Sequence, residues 1–256
     1  MTENTQPTLI EVKALDKKFG VIHAVKSLSF SVKKGEVLGF LGPNGAGKST
    51  TMKMITGFLE PTSGTVSVCG HDILEEPIAV KEKIGYLPEG APAYGEMTVK
   101  NFLDFIADIR GLKGKEKQDR VDEIIKKINL ETVRDQTIDT LSKGFKRRVG
   151  VAQALLHDPE VLIMDEPTDG LDPNQKHEVR MLINEMAEHK AIIISTHILE
   201  EVDAICTRAI IIASGQLLFD GTPEELLAKS DSGRMDDVFR DITTDFYAEK
   251  GEVAQS

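Results

Sequence analysis

Three glycines, a lysine and two hydroxyl side chains crowd into the stretch LGPNGAGKST at residues 41–50. Its spacing fits Gly-x-x-x-x-Gly-Lys-Ser/Thr, in which glycines let successive backbone N–H groups turn toward one phosphate. The predicted strand Glu36–Leu41 precedes the stretch, and the predicted helix Lys48–Thr56 follows it. A glycine-rich turn that binds nothing is the alternative interpretation. Because a phosphate-binding loop needs a strand before it and a helix after it, we favour a nucleotide site.

The residues of this stretch have separate expected roles. The Lys48 ammonium would reach the β- and γ-phosphates, and the Ser49 hydroxyl would bind Mg²⁺. Backbone N–H groups at the start of the helix would add donors and the positive end of the helix dipole. The predicted nucleotide-binding residues are Gly42, Pro43, Asn44, Gly45, Ala46, Gly47, Lys48, Ser49 and Thr50.

Two adjacent acids end a second apolar run, VLIMDEP at residues 161–167. Successive side chains at the end of a strand point to opposite faces. Asp165 is therefore predicted to hold Mg²⁺, directly or through water, and Glu166 to polarise the attacking water, the two roles that phosphoryl transfer requires. A buried strand that leaves the core through an acidic turn is the alternative. The phosphate-binding loop weighs against it, because such a core needs an acid on the metal side.

Three polar positions further along the chain have simpler explanations when taken alone. Ser142 is a natural N-cap for a helix that runs to His157, although a helix start with Ser and Gly can also bind phosphate. Asp172, followed by a proline, is the N-cap of the next helix. His197 closes the strand Ile192–Thr196, and a lone histidine is usually structural.

The elements that must position these residues are strands near the N-terminus, helices in the middle, and alternating strands and helices from Pro159 onward. Short, wholly apolar runs are typical of parallel strands buried on both faces. We therefore predict an α/β nucleotide-binding core with a helical insert at residues 89–158. The predicted strands are Leu9–Ala14, His23–Val32, Glu36–Leu41, Gly64–Cys69, Ile84–Leu87, Val161–Met164 and Ile192–Ser195, and the predicted middle helices are Thr98–Ile109 and Lys115–Ile128.

Composition limits the possible classes of protein. The 256 residues are 40% hydrophobic and 29% charged, which suits one large or two small globular domains. A net charge of −11 weighs against a nucleic-acid partner, because surfaces that bind nucleic acids are normally basic. The two cysteines, Cys69 and Cys206, lack metal-ligand spacing and indicate a reducing cytosol. No uncharged run approaches the ~20 apolar residues that span a bilayer, and the N-terminus lacks the layout of a signal peptide, so we expect a soluble or peripheral protein.

Together and in this order, the motifs resemble those of the ATP-binding-cassette (ABC) ATPases over most of residues 9–221. GPNGAGKST is similar to the Walker A motif, LSKGF (141–145) to the signature, VLIMDEP to Walker B, GLDP (170–173) to the D-loop and His197 to the switch histidine. The resemblance implies a P-loop NTPase core with an antiparallel β subdomain and an inserted helical subdomain. It also implies a Mg²⁺-dependent ATPase domain at 1–221 and a short helical tail at 222–256.

The resemblance assigns roles at single positions. Phe19 matches the aromatic residue that stacks on adenine. His197 would act as a catalytic residue beside Glu166, and Asp172 would couple two sites. The family binds the γ-phosphate of ATP held by a partner subunit at its signature, which here comprises Ser142, Lys143, Gly144 and Phe145. Because the chain has a single P-loop, a second ABC subunit is implied, either another copy in a homodimer, which we favour, or a different chain in a heterodimer.

Two motifs depart from the family pattern. The usual signature LSGGQ is LSKGF here, so that Lys143 replaces a glycine and Phe145 replaces a glutamine. The phosphate-facing pair, Ser142 and Gly144, remains, and the added lysine changes the charge of the site. Glu89 stands where the family has glutamine. A carboxylate is a ligand for hard cations, so Glu89 is a further predicted Mg²⁺ contact.

The variants IGYLPEG and LSKGF, with a late segment MDDVFRDIT (235–243), look like the ATPase subunits of bacterial ABC-2-type exporters. That resemblance implies a cytoplasmic chain, peripheral on the cytoplasmic face of the membrane, that drives integral membrane subunits. The loop Gly90–Met97 would lie beside the groove for a membrane subunit's helix, with Tyr94 and Met97 as anchors, although a plain connector is the alternative interpretation.

Two alternatives remain within the family. One is an ABC ATPase of translation or chromosome maintenance, and the other is an importer ATPase. The single cassette, the negative net charge and the lack of sustained heptads weigh against the first. The short C-terminal tail weighs against the second.

Overall fold

Two β-sheets organise the part of the chain that the computed structural model describes, residues 6–91, 93–230 and 233–250. The strands are β1 (Thr8–Phe19), β2 (Ile22–Lys33), β3 (Val37–Leu41), β4 (Ser63–Val68), β5 (His71–Asp72), β6 (Ile84–Leu87), β7 (Val161–Asp165), β8 (Ala191–Thr196), β9 (Arg208–Ala213) and β10 (Gln216–Gly221). The helices are α1 (Lys48–Ile55), α2 (Pro77–Lys83), α3 (Val99–Ile109), α4 (Gly114–Lys127), α5 (Lys143–Leu155), α6 (Pro173–Ala187), α7 (Leu199–Ile205), α8 (Pro223–Leu227) and α9 (Met235–Lys250).

The first sheet is antiparallel and has the strand order β2-β1-β4-β5. Its strand β1 continues to Phe19, beyond the predicted end at Ala14. The alternation of apolar and polar residues fades near Ala14, but backbone pairing with β2 continues through several register shifts to the pair Phe19–Ile22. Phe19 therefore lies at the end of a long hairpin.

The second sheet has the order β10-β9-β3-β8-β7-β6 and is parallel except for β10, which runs antiparallel to β9. Strands β3, β7 and β8 are buried at every residue, in agreement with their unbroken apolar runs. Leu41 pairs with Thr196, and Asp165 pairs with Ser195. The carboxyl ends of three neighbouring strands thus lie together, and the P-loop, the two acids and His197 are all found at this edge.

Helices α3, α4 and α5 lie in the chain between β6 and β7, which are neighbours in the second sheet. Thr98 is the N-cap of α3, and its side chain accepts a hydrogen bond from the backbone N–H of Asn101. Helix α5 ends at Leu155, before the predicted end at His157. The chain turns there, because Asp158 has a φ of 50° and its N–H donates to the Leu155 carbonyl.

Helices α8 and α9 pack onto the rest of the chain. Leu226 and Val238 are buried in the same cluster as Leu162 of β7 and Ile194 of β8. The predicted division into an ATPase domain at 1–221, an insert at 89–158 and a tail at 222–256 stays a prediction, and residues 1–5, 92, 231–232 and 251–256 of these ranges lie outside the described part. Among the helices of the described residues, none has both the length and the apolar character needed to cross a bilayer.

Candidate nucleotide-binding site

The P-loop connects β3 to α1 and has the shape of a phosphate cradle. Gly47, the N-cap residue of α1, has a φ of 104°, in the left-handed region, and no side chain caps the helix. A Cβ atom at Gly47 would lie 2.6 Å from the Ala24 carbonyl oxygen, and one at Gly42 would lie 2.4 Å from the Ile212 carbonyl oxygen. Gly47 is therefore required by both backbone conformation and close packing, and Gly42 by close packing. As a glycine, the N-cap residue has no side chain that could compete with an anion for the first N–H groups of the helix.

Lys48 places a cation at this cradle. It is 7% exposed, and its Nζ donates to the carbonyl oxygens of Gly42 at 2.6 Å and Pro43 at 3.1 Å. Burial lowers the pKa of Lys48, while the neighbouring carboxylates of Glu166, Asp165 and Glu89 raise it. The side chain is thus folded over the loop that it would serve when phosphate is bound.

A cavity of about 190 Å³ lies at the P-loop, and Glu89 and Glu166 line it together with P-loop residues that include Ser49. Asp165 is 3% exposed at the end of β7 and is close enough to act on the charge of Lys48. Hydroxyl and carboxylate oxygens are ligands that suit Mg²⁺, which in nucleotide sites takes few protein ligands besides phosphate and water. The side chains of Ser49, Glu89 and Asp165 therefore fit a Mg²⁺ site of this kind. Within the described ranges, no group of three or more His, Cys, Asp or Glu side chains could hold a metal alone.

Glu166 and His197 come together at the same edge. Oε1 of Glu166 lies 2.9 Å from Nδ1 of His197, although 31 positions separate them in the chain. Glu166 has a φ of 51°, in the left-handed region that favours glycine, and its N–H donates to the Ser195 carbonyl at 2.8 Å. A carboxylate with an adjacent imidazole, facing a phosphate cradle, can accept a proton from a bound water.

The loop of His197 is fixed by a buried carboxyl that the sequence did not single out. The Thr196 hydroxyl donates to Oε2 of Glu201 at 2.9 Å and accepts a hydrogen bond from the Ile198 N–H at 3.0 Å, so the backbone is held on both sides of His197. Glu201 is fully buried, which raises the pKa of its carboxyl. Glu200, its exposed neighbour, is the same type of residue, so only the phase of α7 distinguishes the two.

The signature residues lie at the start of α5 and do not line the cavity of their own P-loop. The Ser142 side chain caps α5 by accepting a hydrogen bond from the Phe145 N–H at 3.4 Å. Lys143 Nζ lies 3.1 Å from Oδ2 of Asp169. A Cβ atom at Gly144 would lie 2.5 Å from the amide end of the Gln175 side chain, so a larger residue here would displace that side chain.

Two other predicted residues lie outside the P-loop cavity. Asp172 is the N-cap of α6, where its Oδ1 accepts from the Gln175 N–H at 2.9 Å and the Gln175 side chain bonds back to the Asp172 N–H. Phe19 is 46% exposed, with the Lys17 ammonium 5.1 Å from its ring centre. The structure therefore brings together the P-loop, Glu89, Asp165, Glu166 and His197, and it does not bring Phe19, Asp172 or the signature residues to the P-loop cavity.

The family of the chain follows from its sequence match. Residues 25–169, more than half of the chain, match the family model described as "ABC transporter". This chain belongs to the ABC transporter family. The family predicted from the motifs is thereby confirmed.

Individual ABC transporter proteins show how far the likeness extends. "Probable multidrug ABC transporter ATP-binding protein YbhF" of Escherichia coli (strain K12) is 39% identical over 224 residues, and the match covers 87% of this chain and 39% of that protein. "ABC transporter ATP-binding protein NatA" of Bacillus subtilis (strain 168) is 38% identical, and the match covers 88% of this chain and 92% of that protein. The solved structure of cbiO1 from Clostridium perfringens, described as part of the ABC transporter complex cbiONQ, has a TM-score of 0.79 and 32% identity, with coverage of 88% of this chain and 92% of that one.

These comparisons confirm the predicted fold class, an α/β P-loop core of the ABC ATPase type. They also confirm the general role, that of an ATP-binding protein of the ABC transporter family. The chain spans 39% of the length of the E. coli relative.

Proposed function

We propose that this chain binds ATP with Mg²⁺ and hydrolyses it, as the ATP-binding subunit of an ABC transporter. The observation that carries the proposal is that Glu166 lines the P-loop cavity and contacts His197 there. A base, a phosphate cradle and a polar partner for the base thus lie at one edge of a sheet. Phosphoryl transfer to water needs positioning and charge stabilisation more than any other contribution from the protein, and this arrangement supplies both.

The P-loop would hold the phosphates of ATP. Lys48 would exchange its bonds to the Gly42 and Pro43 carbonyls for phosphate oxygens, and the first N–H groups of α1 would donate to the same phosphates. Residues 42–50 would enclose the phosphate chain. The exposed ring of Phe19 would stack on the adenine base.

Ser49, Asp165 and Glu89 would hold Mg²⁺. The bound ion would supply positive charge that stabilises the phosphate oxygens during transfer. Asp165 is fixed by its burial at the end of β7, whereas Glu89 follows β6 on a loop. The two carboxylates that would hold the ion therefore come from the ends of two different strands.

Glu166 would act as the base. Because its Oε1 is held by His197, its Oε2 would accept the proton of the attacking water. His197 would orient the carboxylate and contact the terminal phosphate with its remaining ring nitrogen. Both residues follow buried strands, which limits their freedom to move away from the phosphate.

A second copy of the chain would complete the site. The signature residues Ser142, Lys143, Gly144 and Phe145 do not line their own P-loop cavity. In a head-to-tail homodimer they would face the γ-phosphate of the ATP bound to the partner. Asp172 at the start of α6 would then lie between the two sites and couple them.

The transporter is proposed to be an exporter. The E. coli relative is described as a probable multidrug ABC transporter protein, and the C. perfringens protein as part of a transporter complex. Those descriptions favour transport over a role in translation or chromosome maintenance. This chain would then sit on the cytoplasmic face of the membrane and drive integral membrane subunits.

Hydrolysis by the purified chain tests the proposal directly. ATP turnover is expected with Mg²⁺ and is expected to disappear with EDTA, with Lys48→Ala and with Glu166→Gln. Wild-type protein that binds ATP but shows no turnover above the level of Glu166→Gln would contradict the enzymatic role. Co-purification of the tagged chain with a polytopic membrane protein from the same cells tests the transport role separately.

A further inference from the structure

Arg147 is a buried cation on the helix that begins at the signature. It lies in the second turn of α5 and is 6% exposed. Burial lowers the pKa of Arg147, but guanidinium groups start so high that the side chain keeps its charge. Burying a charge is costly, and an apolar residue of similar size would fill the same space more cheaply. The position of Arg147 therefore calls for an explanation beyond packing.

Within the described part of the chain, the hydrogen bonds of Arg147 all go to backbone carbonyl oxygens. Nε donates to Pro167 at 3.1 Å, and Nη1 donates to Pro88 at 3.3 Å. Nη2 donates to the carbonyls of both Asp165 and Glu166. The acceptors therefore include both residues of the acidic pair, the residue that follows it and the residue that precedes Glu89.

One of these acceptors lies in an unfavourable backbone conformation. Glu166 has a φ of 51°, which a residue with a Cβ adopts only when its surroundings hold it there. Its N–H is bound by the Ser195 carbonyl, and its C=O is bound by Arg147. The guanidinium is thus one of the groups that keep the Glu166 peptide in place.

The helix is also pressed against the second segment that Arg147 holds. A Cβ atom at Gly150 would lie 2.7 Å from Cβ of Ala91 and 2.7 Å from Cδ1 of Leu87. Gly150 is in the turn of α5 that follows Arg147, so two successive turns of α5 contact the segment that contains Glu89. Any shift of α5 would therefore displace this segment and the acidic pair together.

We propose that Arg147 is a positioning residue that ties the signature helix to the backbone of Glu166 and Glu89. The planar guanidinium has five N–H donors in a fixed fork, so one side chain can hold carbonyls from three directions at once. When a partner's nucleotide docks on the start of α5, Arg147 would therefore position Glu166, the catalytic base, and Glu89, the loop ligand of Mg²⁺, together. The catalytic part of this inference rests on the proposed function of Glu166; the backbone tether does not.

The test compares substitutions at two adjacent arginines of α5. Arg147→Gln is expected to lower kcat for ATP about 10- to 100-fold, the usual range for residues that orient those in contact with the reactants, with KM and the ATP Kd within about twofold. Arg147→Lys is expected to recover part of the loss, because an ammonium group reaches one or two carbonyls but cannot span all the segments. Hydrogen exchange at residues 164–170 and 88–91 is expected to be faster in Arg147→Gln than in the wild type.

Arg148→Gln is the matched control. Arg148 is on the same helix and is partly buried. It pairs with Glu178 of α6, donates to the Asn129 carbonyl and lies 5.5 Å from the centre of the Phe145 ring, and none of these contacts involves the acidic pair. The Arg148→Gln variant should keep kcat within about threefold of the wild type and leave hydrogen exchange at residues 164–170 unchanged. Equal losses of kcat in Arg147→Gln and Arg148→Gln would overturn the proposal. A wild-type kcat in either Arg147→Gln or Arg147→Lys would also overturn it. If the wild type itself hydrolyses no ATP, the proposed function fails, and the exchange measurement still decides whether Arg147 holds the acidic loop.

Discussion

Nδ1 of His197 lies 2.9 Å from Oε1 of Glu166, across the neighbouring strands β7 and β8. Each residue comes directly after its strand, and the two strands are paired in parallel register from Val161–Ala191 to Asp165–Ser195. The contact therefore follows from sheet order and does not depend on a flexible loop. It gives the carboxylate a fixed orientation toward the P-loop, which is the basis of the first prediction.

Glu166→Gln should bind ATP and fail to turn it over. The amide keeps the shape of the side chain but cannot accept the proton of water, and loss of a general base lowers rates about 10²–10⁴-fold. We expect the unhydrolysed ATP to hold two subunits together as a head-to-tail dimer. Size-exclusion chromatography with Mg²⁺ and ATP measures this, and Lys48→Ala, which should lose ATP affinity, is the control. A monomer at saturating ATP and high protein concentration would contradict it, provided that no dedicated heterodimer partner exists.

Glu89 should act through its oxygen and not through its charge alone. Glu89→Gln keeps an oxygen ligand and restores the residue usual in the family, so we expect it to retain most of the ATPase activity. Glu89→Ala removes the ligand and should lose about tenfold or more, with part of the loss recovered at high Mg²⁺. Activity measured against Mg²⁺ concentration separates the two variants, and the exposed Glu96 provides a control substitution on the same loop. Equal activity of the wild type and Glu89→Ala would remove the metal role.

Lys143, the lysine that departs from the usual signature, should strengthen dimerisation. Its ammonium lies 3.1 Å from Asp169 and holds the pKa of that carboxyl below its usual value. Both side chains are more than half exposed, so this pair adds little to stability, and the ammonium can turn toward a phosphate. In the Glu166→Gln background, Lys143→Gln should weaken the ATP-dependent dimer about tenfold, since a hydrogen bond to a charged group contributes roughly 1.5–3 kcal/mol.

Asp169→Asn provides the opposite arm of that experiment. Without the competing carboxylate, Lys143 is free for the phosphate of the partner's ATP, so the dimer should become tighter. Sedimentation velocity over a range of salt concentrations measures both changes, and the effect of Lys143→Gln should shrink as salt increases. A dimer that responds in the same direction to both substitutions would show that the lysine acts through local structure instead.

The parts of the site that lie in one short segment could be predicted from the sequence. The P-loop, the acidic pair and the capping residues of α5 and α6 are local patterns, and the structure places each of them at the expected end of a strand or helix. Helix α2 has no clear apolar spacing and was not predicted. Pro77 in its first turn is the signal that could have identified it.

The parts that depend on distant segments could not be predicted. Arg147 looks like one more basic residue in the run KRR, and its acceptors at residues 88 and 165–167 come from two separate strand ends. Met97 was predicted as an anchor beside Tyr94, and the fold also packs it, partly buried, against the main core cluster. Amino-acid type indicates what a residue can contact, whereas the fold decides which contact it makes.

His157 should make the protein less stable in mild acid. Its Nε2 donates to the Ile84 carbonyl at 3.0 Å, and its Nδ1 is buried with no partner among the described residues. Burial, followed by the charge of Arg110, lowers the pKa of His157 to about 4. The unfolded chain binds a proton near pH 6.5, so the stability contributed by neutral His157 is full above that pH and is lost progressively as the pH falls toward 4.

Urea unfolding at pH 7, 6, 5 and 4.5 measures this dependence. His157→Gln should flatten the decline between pH 6.5 and 4, because glutamine does not titrate. The exposed His189 is the control, and His189→Gln should leave the wild-type profile unchanged. If His157→Gln and the wild type lose stability in parallel, the buried imidazole is not the cause.

Tyr94 is proposed to anchor the membrane subunit. It is 53% exposed, and its ring packs edge-on against two others, with ring centres 6.2 Å from Phe102 and 5.6 Å from Phe105. A rigid aromatic surface is therefore presented outward. The turn that carries it is fixed to the segment before the signature, where the Asp139 N–H donates to the Gly95 carbonyl at 2.9 Å. Exposed aromatic residues on a fixed backbone are typical of interface hot spots.

Tyr94→Ala should therefore weaken assembly with the membrane subunit about tenfold or more, the effect of a hot-spot aromatic residue, while the ATPase activity of the isolated chain changes little. Tyr94→Phe keeps the ring and should assemble normally. Met181→Ala removes an exposed apolar side chain from α6 and controls for the loss of surface area. Co-purification and transport are measured together.

Because Glu89 lies at the P-loop cavity and Tyr94 follows it on the same loop, the two sites are close in the chain, and a change at the nucleotide has a short path to the interface. If Tyr94→Ala leaves both co-purification and transport intact, the loop is a connector and the membrane subunit docks elsewhere.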